Sequence, residues 1–179
     1  MCVAHSYETI FTTGYRRKGN EMLKYSPTLS SAQAYAAGDK IDEWIHLFLR
    51  TDGRNLPFSD GLRLFERTYF SPAKMPLNLF RRCTGPGPEM KYRIGKEQFE
   101  LHVAKLEKAI GEGADLPPLI VHYVDGDFEL NDGNHRHKAY ENLGIREAWT
   151  IVWITEEAEV REFSEKYGEY VKNCTVIRR

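Results

Sequence analysis

Apolar positions along the chain follow two different periods. Between Ala32 and Leu49, the residues Ile41, Trp44, Ile45, Phe48 and Leu49 recur at spacings of three and four, which predicts a helix with one buried face. Ser30 and Ser31 precede it and can cap it, because a hydroxyl accepts from backbone N–H groups that lack a partner in the first turn. Gly53 is placed to end it. A shorter helix is predicted from Ser59 to about Tyr69, with Leu62, Phe65 and Tyr69 on one side and Pro72 and Pro76 closing it off. The segment Arg81–Pro88 ends Gly-Pro-Gly-Pro and reads as a loop. Helical spacing returns from Lys96 to Gly111, where Phe99, Val103, Leu106 and Ile110 share a face.

Beyond Leu116-Pro117-Pro118 the period changes. Leu119 to Val124 is a short apolar run rich in β-branched residues and reads as a buried strand. Asp125-Gly126 is a hairpin turn signal, with Phe128 to Leu130 as the returning strand. His135 to Leu143 reads as a helix, and Gly144 stands where a left-handed cap is wanted. Ala148 to Ile154 is a further buried strand. Glu156 to about Val171 is a closing amphipathic helix with acidic residues in its first turn. The elements are mixed, so the class is α/β (α+β) with a small sheet and flanking helices. Trp44 and the helix aromatics read as core.

Composition narrows the function. At 179 residues, 41% hydrophobic and 28% charged, the chain is long enough to bury a core without disulfide staples. Charged and polar residues interrupt every apolar run before it could span a bilayer, and the first residues lack the apolar core of a signal peptide. Cys2, Cys83 and Cys174 are too few and too scattered for a disulfide framework or a zinc knuckle, which points to a reducing cytoplasm. Lys plus Arg (25) nearly balances Asp plus Glu (26), for a net charge of −1. That balance is a sum of opposites: basic stretches over 16–24 and 81–96 against an acidic one over 156–169. It predicts a small, localised phosphate site and makes long DNA a poor fit.

The segment that carries chemistry is Asn131-Asp132-Gly133-Asn134-His135-Arg136-His137-Lys138, between a strand and a helix start. First-turn N–H groups lack intrahelical partners and the helix dipole adds positive charge there, so the position suits an anion. Gly133 allows a tight turn and close approach. Arg136 offers a planar fork for phosphate oxygens. His135 can hydrogen-bond or shuttle a proton, and Asp132 can fix the loop, hold magnesium or act as a base. The same residues also describe a plain turn and helix cap. His135 and His137, two apart on a helix, diverge and are poorly placed to share a metal, so no protein-held metal is expected.

The order of these motifs resembles the ParB/sulfiredoxin superfamily. The matching residues are Pro117-Pro118-Leu119-Ile120-Val121, Asp125-Gly126, Glu129-Leu130, the Asp132–Arg136 loop, Leu143-Gly144 and Thr150-Ile151-Val152. The amphipathic helix Glu97–Ile110 precedes them, and the likeness extends loosely back to about Leu77. It implies a ParB/sulfiredoxin-like small mixed sheet over 77–179; the residues before it read, from their own pattern, as a helical extension over 30–76 and a flexible or docking arm over 1–29. It also implies nucleotide binding (ATP, ADP or CTP, with magnesium) through Gly133, Asn134, His135 and Arg136. Asn134 stands where sulfiredoxins carry a nucleophilic cysteine, which disfavours their chemistry. Only one helix and a tail follow Ile154, which leaves no room for the DNA-reading helices of ParB proteins. Free-serine kinases share the Asp132-Gly133 pair and Arg136.

The expectation is therefore nucleotide binding through the DGNHR loop, with phosphoryl transfer or nucleotide hydrolysis as the accompanying chemistry and Asp132 and His135 as candidate catalytic residues. The acceptor would be a small molecule or a protein. Arg82 and Arg93, flanking the Gly-Pro loop, are candidate phosphate contacts on a lid. Two alternatives are a non-catalytic, nucleotide-gated interaction module and a ParB-like nuclease or DNA-associated protein.

Overall fold

The computed structural model describes residues 23–179, so most of the arm expected over 1–29 lies outside the described residues. The helical region holds α1 (Leu29–Ala36), α2 (Ile41–Arg50) and α3 (Leu56–Leu62). One helix was expected over 32–49, but two form. The chain turns at Gly38-Asp39, where Asp39 adopts a left-handed φ of 58° that a continuing helix cannot contain. The cap also differs from expectation. Thr28, not Ser30 or Ser31, accepts from the Ser31 N–H, and the Ser31 hydroxyl accepts from the Ser26 N–H. The apolar face of α2 is buried as its spacing predicts, through Ile41, Trp44, Ile45, Phe48 and Leu49.

The helix expected over Ser59–Tyr69 is corrected more deeply. Helix α3 stops at Leu62, and Tyr69, Pro72 and Pro76 belong to a strand, β1 (Thr68–Pro76). This strand runs antiparallel to β7 (Glu147–Ile154), with an irregular register between Phe70 and Ala73. That irregularity accommodates Pro72, which has no N–H to offer a ladder. The sheet therefore begins at Thr68, earlier than the boundary expected at residue 77.

The remaining elements are β2 (Phe80–Arg82), β3 (Thr84–Gly85), β4 (Tyr92–Arg93), α4 (Lys96–Gly111), β5 (Leu119–Val124), β6 (Asp127–Asp132), α5 (Asn134–Asn142), α6 (Glu157–Val171) and β8 (Val176–Arg178). The main sheet runs β2-β6-β5-β7-β1-β8, and β3 pairs with β4. Part of the predicted loop Arg81–Pro88 is thus strand. Arg81 and Arg82 pair in parallel with Glu129 and Leu130, and Thr84 and Gly85 with Tyr92 and Arg93. The β5–β6 turn is as predicted: Asp125 and Gly126 are both left-handed, at φ 53° and 79°.

Alternation along β5 splits the core. Val121 and Tyr123 face α6 and its Phe163. Ile120 points the other way and is buried, with Ile151 and Trp153, by the helices carrying Trp44, Ile45 and Leu49. The helical region is therefore the cover of one sheet face. A third cluster, Phe99, Val103 and Ala139, joins α4 to α5. Among the described residues no helix is long and apolar enough to cross a membrane.

Candidate functional site

Strand β6 ends at Asp132 and the chain enters α5 through Gly133, whose φ of 99° is left-handed. A Cβ on Gly133 would lie 2.5 Å from the Leu119 Cδ2 and 3.0 Å from the Arg136 Nη2. Dihedral and space thus both require glycine here. The first-turn amides of Asn134, His135 and Arg136 are left without intrahelical acceptors, while His137 N–H closes the first bond to the Gly133 carbonyl.

The four side chains after Gly133 do different things. Asn134 is buried; its Oδ1 accepts from the Cys83 and Thr84 backbone N–H groups, each at 3.0 Å. Its Nδ2 donates to the Leu130 carbonyl at 3.3 Å. The amide therefore ties the start of α5 to β2 and β3, and Asn134 does not line the cleft described below. Arg136 Nη2 donates to Asp132 Oδ1 at 2.8 Å and to the Pro118 carbonyl at 3.3 Å. Its guanidinium also lies 5.7 Å from the centre of the Phe48 ring on α2, and its Nε is buried without a partner. Burial pushes the Asp132 carboxyl above its ordinary range, opposed by Arg136. Asp132 is thus first of all the group that orients Arg136.

His135 sits 4.6 Å from the Phe99 ring and 5.3 Å from the His102 ring, centre to centre. Burial lowers its pKa, and the nearby Arg136 and Arg82 guanidinium groups act in the same direction. His137 turns inward, with Nε2 3.0 Å from the Leu77 carbonyl oxygen. The two histidines of the His-x-His pair consequently point apart. Among the described residues, no group of three or more His, Cys, Asp or Glu is arranged to hold a metal ion. Cys83 is buried, and that burial raises its thiol pKa, the direction that disfavours a thiolate.

Asp132, Gly133, His135 and Arg136 open onto a cleft of about 800 Å³. Its other walls are Phe48 and the Thr51–Arg54 turn of the helical region, and His102, Lys105 and Leu106 of α4. Arg82 and Arg93 do not line it. Arg82 stands 5.7 Å from the Phe99 ring and lines a separate pocket with Lys138 and Glu107, while Arg93 is exposed in β4. The cations that reach the cleft beside Arg136 are Arg54 and Lys105. Sequence reasoning passed over both. Arg54 belongs to a turn after α2 with a left-handed φ of 47°, and Lys105 lies three residues from His102 on a helix face that reads as solvated. Their signal was present, as Asp52-Gly53-Arg54-Asn55 and His102-x-x-Lys105, but nothing local ties either to residue 133.

No family model matches this chain, and no curated protein matches it. Solved structures to which it is similar include sulfiredoxin from Arabidopsis thaliana, 24% identical over 51% of this chain and 93% of that one, with a TM-score of 0.38. A second is the C-terminally truncated chromosome-partitioning protein ParB from Caulobacter crescentus complexed with CTP-gamma-S, 20% identical over 55% of this chain and 53% of that one, at 0.37. A third is a free serine kinase in complex with AMP, 19% identical over 45% of this chain and 30% of that one, at 0.35. Each likeness spans about half of this chain; the described residues themselves form an α/β arrangement with a helical N-terminal region.

Proposed function

We propose that the protein binds a nucleotide in the cleft beside α5, with its phosphates on the Gly133–Arg136 turn. The observation that carries this reading is the convergence of three cationic side chains, Arg54, Lys105 and Arg136, on the cleft that opens at a helix N-terminus. Free first-turn amides and the helix dipole favour an anion there. Gly133 leaves the approach clear, and Asp132 presets the Arg136 fork. Turnover, as phosphoryl transfer or nucleotide hydrolysis, falls to His135 and Asp132, the groups at this turn able to exchange a proton.

Thermal unfolding with ATP, ADP and CTP, each with and without magnesium, tests the reading. A ligand at 100 times its Kd stabilises the folded chain by about 2.7 kcal/mol, a clear rise in Tm. That rise is expected to vanish in the Arg54→Ala/Lys105→Ala double variant, whose substitutions are exposed and leave the core intact. Product analysis of any stabilising nucleotide then separates an enzyme from a nucleotide-gated module. The module has an observation in its favour: the cleft is walled both by the α1–α3 region and by the sheet's own loop and helix, so a ligand would bridge them. No response to any nucleotide overturns the proposal.

A further inference from the structure

A second cavity, of about 530 Å³, lies next to the cleft and differs from it in chemistry. Its walls come from the start of α3, from β6 and from the β3–β4 pair. Asn55 follows Arg54 in the chain and Asn131 precedes Asp132, so cavity and cleft abut along consecutive residues. The cleft gathers the cations Arg54, Lys105 and Arg136. The cavity is lined by one cation, Lys91, and one carboxylate, Glu129, so its walls carry no net charge.

Bonds already made fix which atoms remain for a ligand. An indole nitrogen only donates, so the 2.9 Å bond from Trp153 Nε1 occupies Asn131 Oδ1 and leaves Asn131 Nδ2 as a donor. Asn55 Oδ1 likewise accepts from the Phe58 N–H at 3.2 Å, which leaves Asn55 Nδ2 as a second donor. Glu129 stands 3.7 Å from Arg81 Nη2 and 4.0 Å from Lys91 Nζ. Both are ion pairs beyond hydrogen-bond reach, so the carboxylate oxygens keep their capacity to accept. The Phe58 and Tyr92 rings add apolar surface.

We propose that this cavity binds a neutral sugar of five or six carbons. A hydroxyl donates and accepts at once, so adjacent hydroxyls can donate to Glu129 while accepting from Asn131 and Asn55. The polar groups come from different elements around the cavity, which suits hydroxyls that leave a sugar ring in several directions. A nucleobase would need them along one edge and in one plane. The C–H faces of the sugar meet the Phe58 and Tyr92 rings, and an uncharged lining suits an uncharged ligand. The volume lies within the range of about 300–1,000 Å³ usual for small-molecule sites. A sugar held here lies beside the phosphates of a nucleotide in the cleft. That adjacency alone rests on the nucleotide reading; the sugar site stands without it.

The test is a titration of the isotope-labelled full chain with D-ribose, D-glucose and, for contrast, adenine. It is followed by NMR at the Trp153 indole N–H, whose signal is assigned with Trp153→Phe. That proton bonds Asn131 and so reports on the cavity wall. A saturable shift is expected with a sugar at millimolar concentration. Asn131→Asp keeps the oxygen that Trp153 needs and removes the amide donor, while Glu129→Gln keeps the shape and removes the charge on the acceptor. Each is expected to weaken sugar binding about tenfold, the worth of one hydrogen bond, with thermal unfolding unchanged. No saturable shift with either sugar, a shift with adenine in place of a sugar, or sugar affinity unchanged in both variants overturns the proposal. Sugar binding with no response to any nucleotide leaves the sugar site standing and refutes the nucleotide reading. A nucleotide response with no sugar shift does the reverse.

Discussion

Single residues at the α5 turn are constrained by space and by pairing rather than by composition. Gly133→Ala would place a β-carbon against Leu119 in a left-handed conformation, a strain of about 1–3 kcal/mol. Its urea midpoint is expected to fall accordingly; an unchanged midpoint would show that the turn can relax. Arg136 is less simple than a phosphate contact. Its side chain and that of Asp132 are only 12% and 16% exposed, so Arg136→Ala strands a carboxylate. Removing one member of a buried pair costs about 3–5 kcal/mol, and the low end is expected here because some solvent remains. The Asp132→Ala/Arg136→Ala double variant should be less destabilised than the sum of the singles, measured by denaturant unfolding. Loss of ligand binding in Arg136→Ala therefore has to be read beside its stability, whereas Arg54 and Lys105 are clean probes.

At the level of elements, Asn134 joins pieces of chain that lie about fifty positions apart. Its amide is the acceptor for two backbone N–H groups at the β2–β3 junction, that of Cys83 buried and that of Thr84 half-buried. Asn134→Ala leaves both donors unsatisfied, at about 1–3 kcal/mol for each such group. Hydrogen exchange at the Cys83 and Thr84 amides is expected to accelerate more than exchange in α6, which would locate the loss. Uniform acceleration along the chain would contradict this assignment. Sequence motifs alone place Asn134 beside the ligand because it lies inside the DGNHR string. Its partners, Cys83 and Thr84, carry no local mark that could reveal the contact.

For the whole molecule, buried imidazoles link stability to pH. Burial lowers the pKa of His46, His122, His135 and His137, that of His122 to about 4. The unfolded chain protonates these rings near 6.5 while the folded chain does not, so the unfolded state binds more protons below that value. Stability is therefore full above about pH 6.5 and falls as the pH drops from there towards 4. The urea midpoint at pH 5 is expected below that at pH 7.5. His122→Phe keeps a ring stacked on Trp153 and should shrink the difference; an equal difference would assign the linkage to the other rings. The same scale explains why the helical region cannot be treated as an appendage. Trp44, Ile45 and Leu49 share one cluster with Ile120 and Ile151 of the sheet, and the cleft lies along that seam.

The residues after 96 were largely legible in order, because each element there carries its own marks. α4 shows helical period, β5 and β7 are continuous apolar runs, Asp125-Gly126 encodes a tight turn, and Gly144 caps α5 with a left-handed φ of 69°. The glycine turn at Gly133 that leads into α5 was visible for the same local reason. What the tertiary structure decided was everything set by contacts between distant residues. It turned Thr68–Pro76 into a strand despite two prolines, because β7 offers a ladder along its length. It drew Arg82 and Arg93 away from the cleft and brought Arg54 and Lys105 to it. It also separated His135 from His137 and set it beside His102, since periodicity specifies which face a residue occupies but not which other face it meets.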